Sequence, residues 1–270
     1  MNLFKQAIAD IARSELSKLD RLYQKHAGEE CYIFGDGISL KWMDLHRFTD
    51  RDAIISPMAI LHRETHALRA RYCALIEPFL FYPLTPVIGN GNFRFVRLAF
   101  QKEHRKAMRE YPATTFFVNL SNYPVVHRAN SIFVSRWHKP PFAHSNPFRD
   151  RADAHAGSLR FELSLAIFLG YRKAYLVGHD YTHFPSRSLH FYEKGEGVVG
   201  EHRRFSGDFI EYARQSIDLV TVTLEGGSET MPSMTYETLT GCRPAFRENT
   251  ELVDLDKLET LARWPGYSIF

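Results

Sequence analysis

At 270 residues, 44% hydrophobic and 24% charged, the chain has ordinary globular composition and enough apolar material to bury one sizeable α/β core. A net charge of +3 suits an anionic ligand or a loose membrane-surface contact and is not the footprint of a nucleic-acid binder. The three cysteines, Cys31, Cys73 and Cys242, lie far apart without zinc spacing, so a reducing cytoplasm is the expected compartment. The first residues have neither signal-peptide nor anchor character, and no stretch is long enough to span a bilayer.

Apolar residues at helical spacing, among them Leu3, Ala7, Ile11 and Leu19, predict a helix from Leu3 to Lys25 that packs beside the core or against another subunit. Tyr32, Ile33 and Phe34 predict a buried strand that stops at Gly35-Asp36-Gly37. A Gly-x-Gly turn there offers successive backbone N–H groups to an anion, and Ser39 can cap the next helix or bond a phosphate oxygen. A short helix is expected near Leu40 to Leu45 and a second strand at Asp52 to Ser56. A charged, helix-compatible segment follows at His62 to Tyr72, and a third strand at Cys73 to Phe81 carries Glu77. Next come a helix from Phe93 to Glu110, a strand from Thr114 to Leu120 ending at Ser121-Asn122, and a short strand at Ile132 to Val134. Trp137 to Asp150, rich in Pro, His and aromatics, reads as a long loop or lid. Ser158 to Leu169 predicts a helix stopped by Gly170, and Lys173 to Val177 a strand ending at Gly178-His179-Asp180-Tyr181. Thr182 to Gly200 is a polar and aromatic loop. It precedes a helix at Phe205 to Ser216, a strand at Leu219 to Leu224, an irregular stretch, and a last helix at Asp254 to Ala262. Alternating strands and helices in this order predict an α/β fold with a Rossmann-like, doubly wound, mostly parallel sheet.

Ligands of such sheets bind outside the carboxyl ends of the strands. If the strands are parallel neighbours, the polar residues at their ends line one crevice fit for a nucleotide or nucleotide-sugar: Gly35, Asp36, Gly37, Ser39, Ser56, Glu77, Ser121, Asn122, His179 and Asp180. Asp36 and Asp180 can instead brace their turns. Histidines gather in the second half, at His138, His144, His155, His179, His183, His190 and His202, and a histidine can serve as general base. No HExxH motif is present, and no metal is expected.

Four segments in order carry a family resemblance: YIFGDGISL from Tyr32, LIEPFLFYP from Leu75, LSNYPVVHRAN from Leu120, and SLAIFLGYRKAYLVGHDYTH from Ser164 to His183. Together they resemble the bacterial sialyltransferases of glycosyltransferase family 42 and the flagellin-glycosylation accessory proteins that share their fold. The resemblance covers about Tyr32 to Val222. It implies a GT-A-like sialyltransferase variant of the Rossmann-like sheet with a small lid region. The divisions it implies are an N-terminal helix at 1–28, a nucleotide-sugar-binding domain at 29–225 with lid loops near 137–157 and 182–204, and a C-terminal extension at 226–270. It further implies an inverting, metal-independent transfer of a nonulosonic acid-type sugar from a CMP-sugar to a bacterial surface glycan, as in lipopolysaccharide or capsule synthesis, with no cofactor beyond that co-substrate. His202 matches the family's general base. Gly35, Gly37 and Ser39 match its donor turn, and Ser158, at a helix start, its phosphate contact; Asp180, Tyr181 and Thr182 fall in its Gly-x-Asp-aromatic segment.

The chain departs from that pattern in four places. Asp36 and Glu77 stand where the family has Asn, Thr182 where it has Tyr, and His155 near its Arg. Another nonulosonic acid or Kdo is therefore an alternative donor sugar. Two other functions are weighed beside the transferase: a Mg²⁺-dependent pterin pyrophosphokinase using Asp36, Glu77 and Asp180, and a non-catalytic nucleotide-sugar-binding accessory protein. The expected partners are the donor and a glycan acceptor, with no nucleic acid. The charge and the first helix allow peripheral association with the inner face of the cytoplasmic membrane, and a homo-oligomer is allowed.

Overall fold

The computed structural model describes residues 3–82, 91–136, 153–154, 157–200, 207–264 and 266–270. Helix α1 spans Leu3–Asp20. Strands β1 (Glu30–Phe34), β2 (Asp52–Ile55) and β3 (Arg69–Leu75) follow, with two short 3-10 helices in each connection, and α2 covers Gly91–Glu110. Then come β4 (Thr115–Asn119), β5 (Ser131–Arg136), β6 (Asp153–Ala154), α3 (Ser158–Leu169) and β7 (Lys173–Val177). The rest comprises β8 (Ser186–Arg187), β9 (Val199–Gly200), α4 (Gly207–Ala213), β10 (Asp218–Thr223), β11 (Ser233–Thr235), α5 (Tyr236–Thr240), α6 (Asn249–Leu252) and α7 (Leu255–Leu261).

Among the described residues nine strands form one sheet in the order β11-β10-β7-β1-β2-β3-β4-β5-β6, and every pairing between them is parallel. The chain winds outward from β1 through β2 to β6, then returns to the other flank of β1 with β7. The expected doubly wound α/β sheet is therefore present, and its order reverses between β1 and β7. That reversal opens a crevice at the carboxyl ends of these two strands.

The central strands are buried on both faces, as parallel strands covered by helices must be. One face carries Cys31, Ile33, Ala174 and Leu176 against α3, α4 and the Leu19 end of α1. The other carries Tyr32, Phe34, Tyr175 and Val177 against the 3-10 turns and against Leu258 and Leu261 of α7. Helix α1 packs on β5, where the buried Glu15 accepts from the Phe133 N–H at 3.2 Å. Among the described residues no helix is long and apolar enough to cross a membrane.

Two expectations need correcting. The third strand begins at Arg69, inside the segment read as helix-compatible, and ends at Leu75 rather than Phe81. Its first half alternates exposed and buried residues. Arg69 and Arg71 reach across to Asp52 at 2.9 and 3.4 Å, so their charges belong to a strand edge. Beyond Glu77, Pro78 lacks the N–H a ladder needs and Phe79 takes φ 54°, so the apolar run leaves the sheet. The stretch beyond Gly226 is also more regular than expected. It adds β11 to the sheet edge, and the capping box of Glu248 and Glu251 starts α6. The expected lid at 137–150 lies outside the described residues.

Phe34→Ala, at a wholly buried site, is expected to cost about 3–5 kcal/mol in urea unfolding. Phe270→Ala, at a side chain 60% exposed, is expected to shift stability by less than about 0.5 kcal/mol.

Candidate functional site

The turns that end β1 and β7 are locked together. The Gly35 N–H donates to the Val177 carbonyl at 2.8 Å, and the Gly37 N–H to the Gly178 carbonyl at 2.7 Å. Both carboxylate oxygens of Asp180 bind Ser39, one accepting from its N–H at 2.8 Å and the other from its hydroxyl at 2.5 Å. A Cβ on Gly37 would sit 2.5 Å from the Asp180 carboxylate, and one on Gly35 would sit 2.4 Å from the Gly178 carbonyl. Glycine is required at both positions by this close approach. The N–H groups of Gly35, Gly37 and Ser39, expected to face an anion, are thus taken up by the neighbouring strand's turn. Ser39 and Asp180 serve as a brace, the bland alternative for Asp180.

A cavity of about 500 Å³ opens beside this junction. Asp36, Ser56, Glu77, Ser158 and His179 line it, five of the expected residues brought together from the ends of β1, β2, β3 and β7 and the start of α3. His104, Phe100, Trp264 and Tyr267 also line it, and none of the described lining residues is Lys or Arg. The first turn of α3 opens onto the cavity through Ser158 and Leu159, and no side chain caps it. Its backbone N–H groups and the positive end of a 12-residue helix are the anion-attracting feature here.

Other expected residues hold the frame. Ser121 Oγ accepts from the Phe79 N–H at 2.8 Å. Asn122 accepts from the Phe81 N–H at 2.8 Å and donates to the Glu77 carbonyl at 3.2 Å. Both fasten the Glu77–Tyr82 segment and neither lines the cavity, so the single crevice expected from strand ends is narrower than the strand list implied. Tyr181 accepts from the Leu189 N–H at 2.9 Å, and Thr182 donates to the His179 carbonyl at 2.6 Å. Ser39 and Asp180 instead line a second cavity of about 500 Å³ with His183, Trp42, Arg187 and Phe246. The set Asp36, Glu77 and Asp180 is therefore not assembled in one cavity. Among the described residues two clusters have metal-ligating spacing, His26/Glu29/Asp52 and Asp44/His46/Glu64, and neither belongs to this cavity. His202 lies outside the described residues.

Behind Ser56 sits Glu162 of α3, fully buried, which accepts from the Ser56 hydroxyl at 2.8 Å. Burial pushes its carboxyl up to about 8 despite that hydrogen bond, and the charge of Asp36 adds to the rise. Burial likewise pushes His179 down to about 3, with His183 contributing, and His104 down to about 4. Asp36 and Asp180 are raised, again mainly by burial. Glu162 was not singled out from sequence. A Glu inside the apolar helix SLRFELSLAIFL, on its buried side, was the available signal.

Gly37→Ala is expected to lose more than about 2 kcal/mol of stability in urea unfolding, because the new methyl meets the carboxylate and a backbone carbonyl. Glu162 has a pH signature of its own. Its folded acid range, about 8, lies above the ordinary 4.5, so the unfolded chain releases the proton first as pH rises. Its contribution is neutral below 4.5 and turns destabilising as pH climbs to about 8. Relative to Glu162→Gln, the wild type is expected to lose on the order of a few kcal/mol between about pH 5 and about pH 8, read from urea unfolding of both proteins.

No family model matches the chain, and no curated protein matches it. Among solved structures it is similar to the sialyltransferase CST-II in complex with a trisaccharide acceptor and CMP. That match has 13% identity over 87% of this chain and 99% of that one, with a TM-score of 0.44. It is also similar to the sialyltransferase CstII from Campylobacter jejuni in complex with the substrate analogue cytidine-5'-monophosphate, at 12% identity over 88% of this chain and 98% of that one, with a TM-score of 0.43.

Proposed function

We propose that this protein is an inverting glycosyltransferase of the sialyltransferase type, using a CMP-activated nonulosonic acid-type donor and a bacterial surface glycan acceptor. The observation that carries the reading is the cavity at the β1–β7 reversal, into which Asp36 and the uncapped first turn of α3 both open. Its volume of about 500 Å³ is in the range of small-ligand sites. The motif order from Tyr32 to His183 supports the same class.

In this reading the phosphate meets the α3 N-terminus at Ser158, where fixed N–H groups stabilise charge on the departing CMP. Asp36 turns away from the phosphate and accepts from a ribose hydroxyl or a cytosine amine, which a carboxylate does and an Asn carbonyl does less strongly. Ser56 and Glu77 flank the sugar. Gly35 and Gly37, with the Ser39–Asp180 brace, hold the turn that carries Asp36, and Ser121, Asn122, Tyr181 and Thr182 support the walls. His202 takes the proton from the acceptor hydroxyl. CMP is a good leaving group, so acceptor deprotonation and phosphate stabilisation are sufficient, and the reaction runs without metal. The protein works in the cytoplasm, at the membrane face where surface glycans are assembled.

The acidic pair Asp36 and Glu77, with no Lys or Arg among the described lining, favours one other reading, a Mg²⁺-dependent pyrophosphokinase. Thermal unfolding separates the two. CMP is expected to raise Tm with chelator present, and ATP with Mg²⁺ to leave it unchanged; the reverse pattern would select the pyrophosphokinase. With CMP-sugar donors, His202→Ala is expected to lower transfer by about 10²–10⁴-fold while leaving the CMP shift intact.

A further inference from the structure

The floor of the α3 cavity holds a pair of side chains that the proposed transfer does not use. Glu162 is wholly buried, with one carboxyl oxygen bonded to Ser56 and the other, Oε2, without a hydrogen bond. His179 lines the cavity with its side chain only 9% exposed, and its Nε2 is likewise unbonded, 3.6 Å from Glu162 Oε2. Closing that gap by about 0.6 Å makes an ordinary hydrogen bond. The other edge of the ring lies against the turn after β1, where a Cβ on Gly35 would be 2.8 Å from Nδ1. Two unsatisfied polar atoms facing one another in a dry interior are costly unless they share a proton or meet a ligand.

Charge makes the arrangement purposeful. The described lining offers an anion the α3 N-terminus but no Lys or Arg, while Asp36 and Glu77 oppose it. We propose that His179 is a catalytic residue that accepts the Glu162 proton when a phosphate group enters the cavity and meets that phosphate as an imidazolium. The inference rests on the reading that this cavity holds a nucleotide phosphate. The Glu162 O–H bond breaks and a His179 Nε2–H bond forms. The ring, carrying its proton on Nδ1 in the tautomer this transfer requires, becomes the cation, and the Glu162 carboxylate keeps its bond from Ser56. No proton comes from solvent and the pair's net charge stays zero. Before binding, burial holds the proton on Glu162 and leaves His179 neutral. Asp36 faces the pair from the β1 turn, Cys73 from β3, and His183 from the turn after β7. A charged Asp36 would favour the imidazolium, whereas a charged His183 would oppose it. Glu162 is a positioning residue that acts through His179.

The test is ¹⁵N-histidine NMR on the full chain near neutral pH with chelator present, using CMP and inorganic phosphate as probes and His179→Asn to assign the ring. CMP is expected to convert the His179 signals from neutral ring to imidazolium. Glu162→Gln keeps the shape and a donor toward His179 but cannot yield a proton. It is expected to weaken CMP binding by about ten- to hundredfold near neutral pH, with the loss shrinking near pH 5.5, where solvent supplies the proton. A merely structural Glu162 would weaken binding equally at both pH values, and that result overturns the proposal. CMP binding with a neutral His179 overturns it and leaves the nucleotide reading standing. An imidazolium formed with inorganic phosphate but no CMP binding supports the proposal and sinks the CMP reading. No response to either probe overturns both. If Glu162→Gln does not fold, the wild-type imidazolium signal alone decides.

Discussion

The double hydrogen bond between Ser39 and Asp180 is the constraint on which the site depends. It joins the turn after β1 to the turn after β7, two segments far apart in sequence and adjacent only because the sheet reverses its order between them. Gly37 must be glycine because any side chain there would strike the carboxylate of Asp180, and Gly178, at φ 68°, packs against Leu40 just beyond the β1 turn. With the two turns drawn together, Asp36 and His179 face one cavity and Ser39 and Asp180 the other. Several parts of the chain are fastened to the same junction. The Ile38 N–H donates to Leu189 at 3.2 Å, and the buried Lys41 reaches Gly195 and Glu248 at 2.7 and 2.9 Å.

A second constraint is the acidity of the cavity. Burial raises Asp36 and Glu162 and lowers His104 and His179, so the interior prefers neutral forms throughout. An anionic ligand there would rely on helix-end N–H groups and, under the proposed proton transfer, on charge generated in place. Fixed guanidinium or ammonium groups do not supply it among the described lining residues. Asp36 and Glu77, two positions at which the chain departs from the family its motifs resemble, line this cavity beside His179.

The sheet was largely readable because its strands are short apolar runs closed by glycine or polar turns. β1, β4 and β7 fall within a residue or two of their expected ends, and α3 matches at both. Strand β3 was displaced because its exposed arginines imitate a helix surface, and their partner Asp52 sits on another strand where no local pattern reveals it. The cavity was half legible. Asp36, Ser56, Glu77 and Ser158 could be named from strand and helix ends, whereas Ser121 and Asn122 share that signature but brace a loop. Trp264 and Tyr267 come from the far end of the chain and reach the cavity only through tertiary packing, a placement that no spacing rule encodes.

Hydrogen–deuterium exchange of the full chain with and without CMP, in chelator, tests the central claim most directly. The account predicts slowed exchange confined to residues 36–39, 56–58, 158–161 and 178–180, where the cavity and its brace lie. Unchanged exchange in those segments, or protection instead at the opposite sheet edge around Arg51, Arg69 and Arg172, would contradict it.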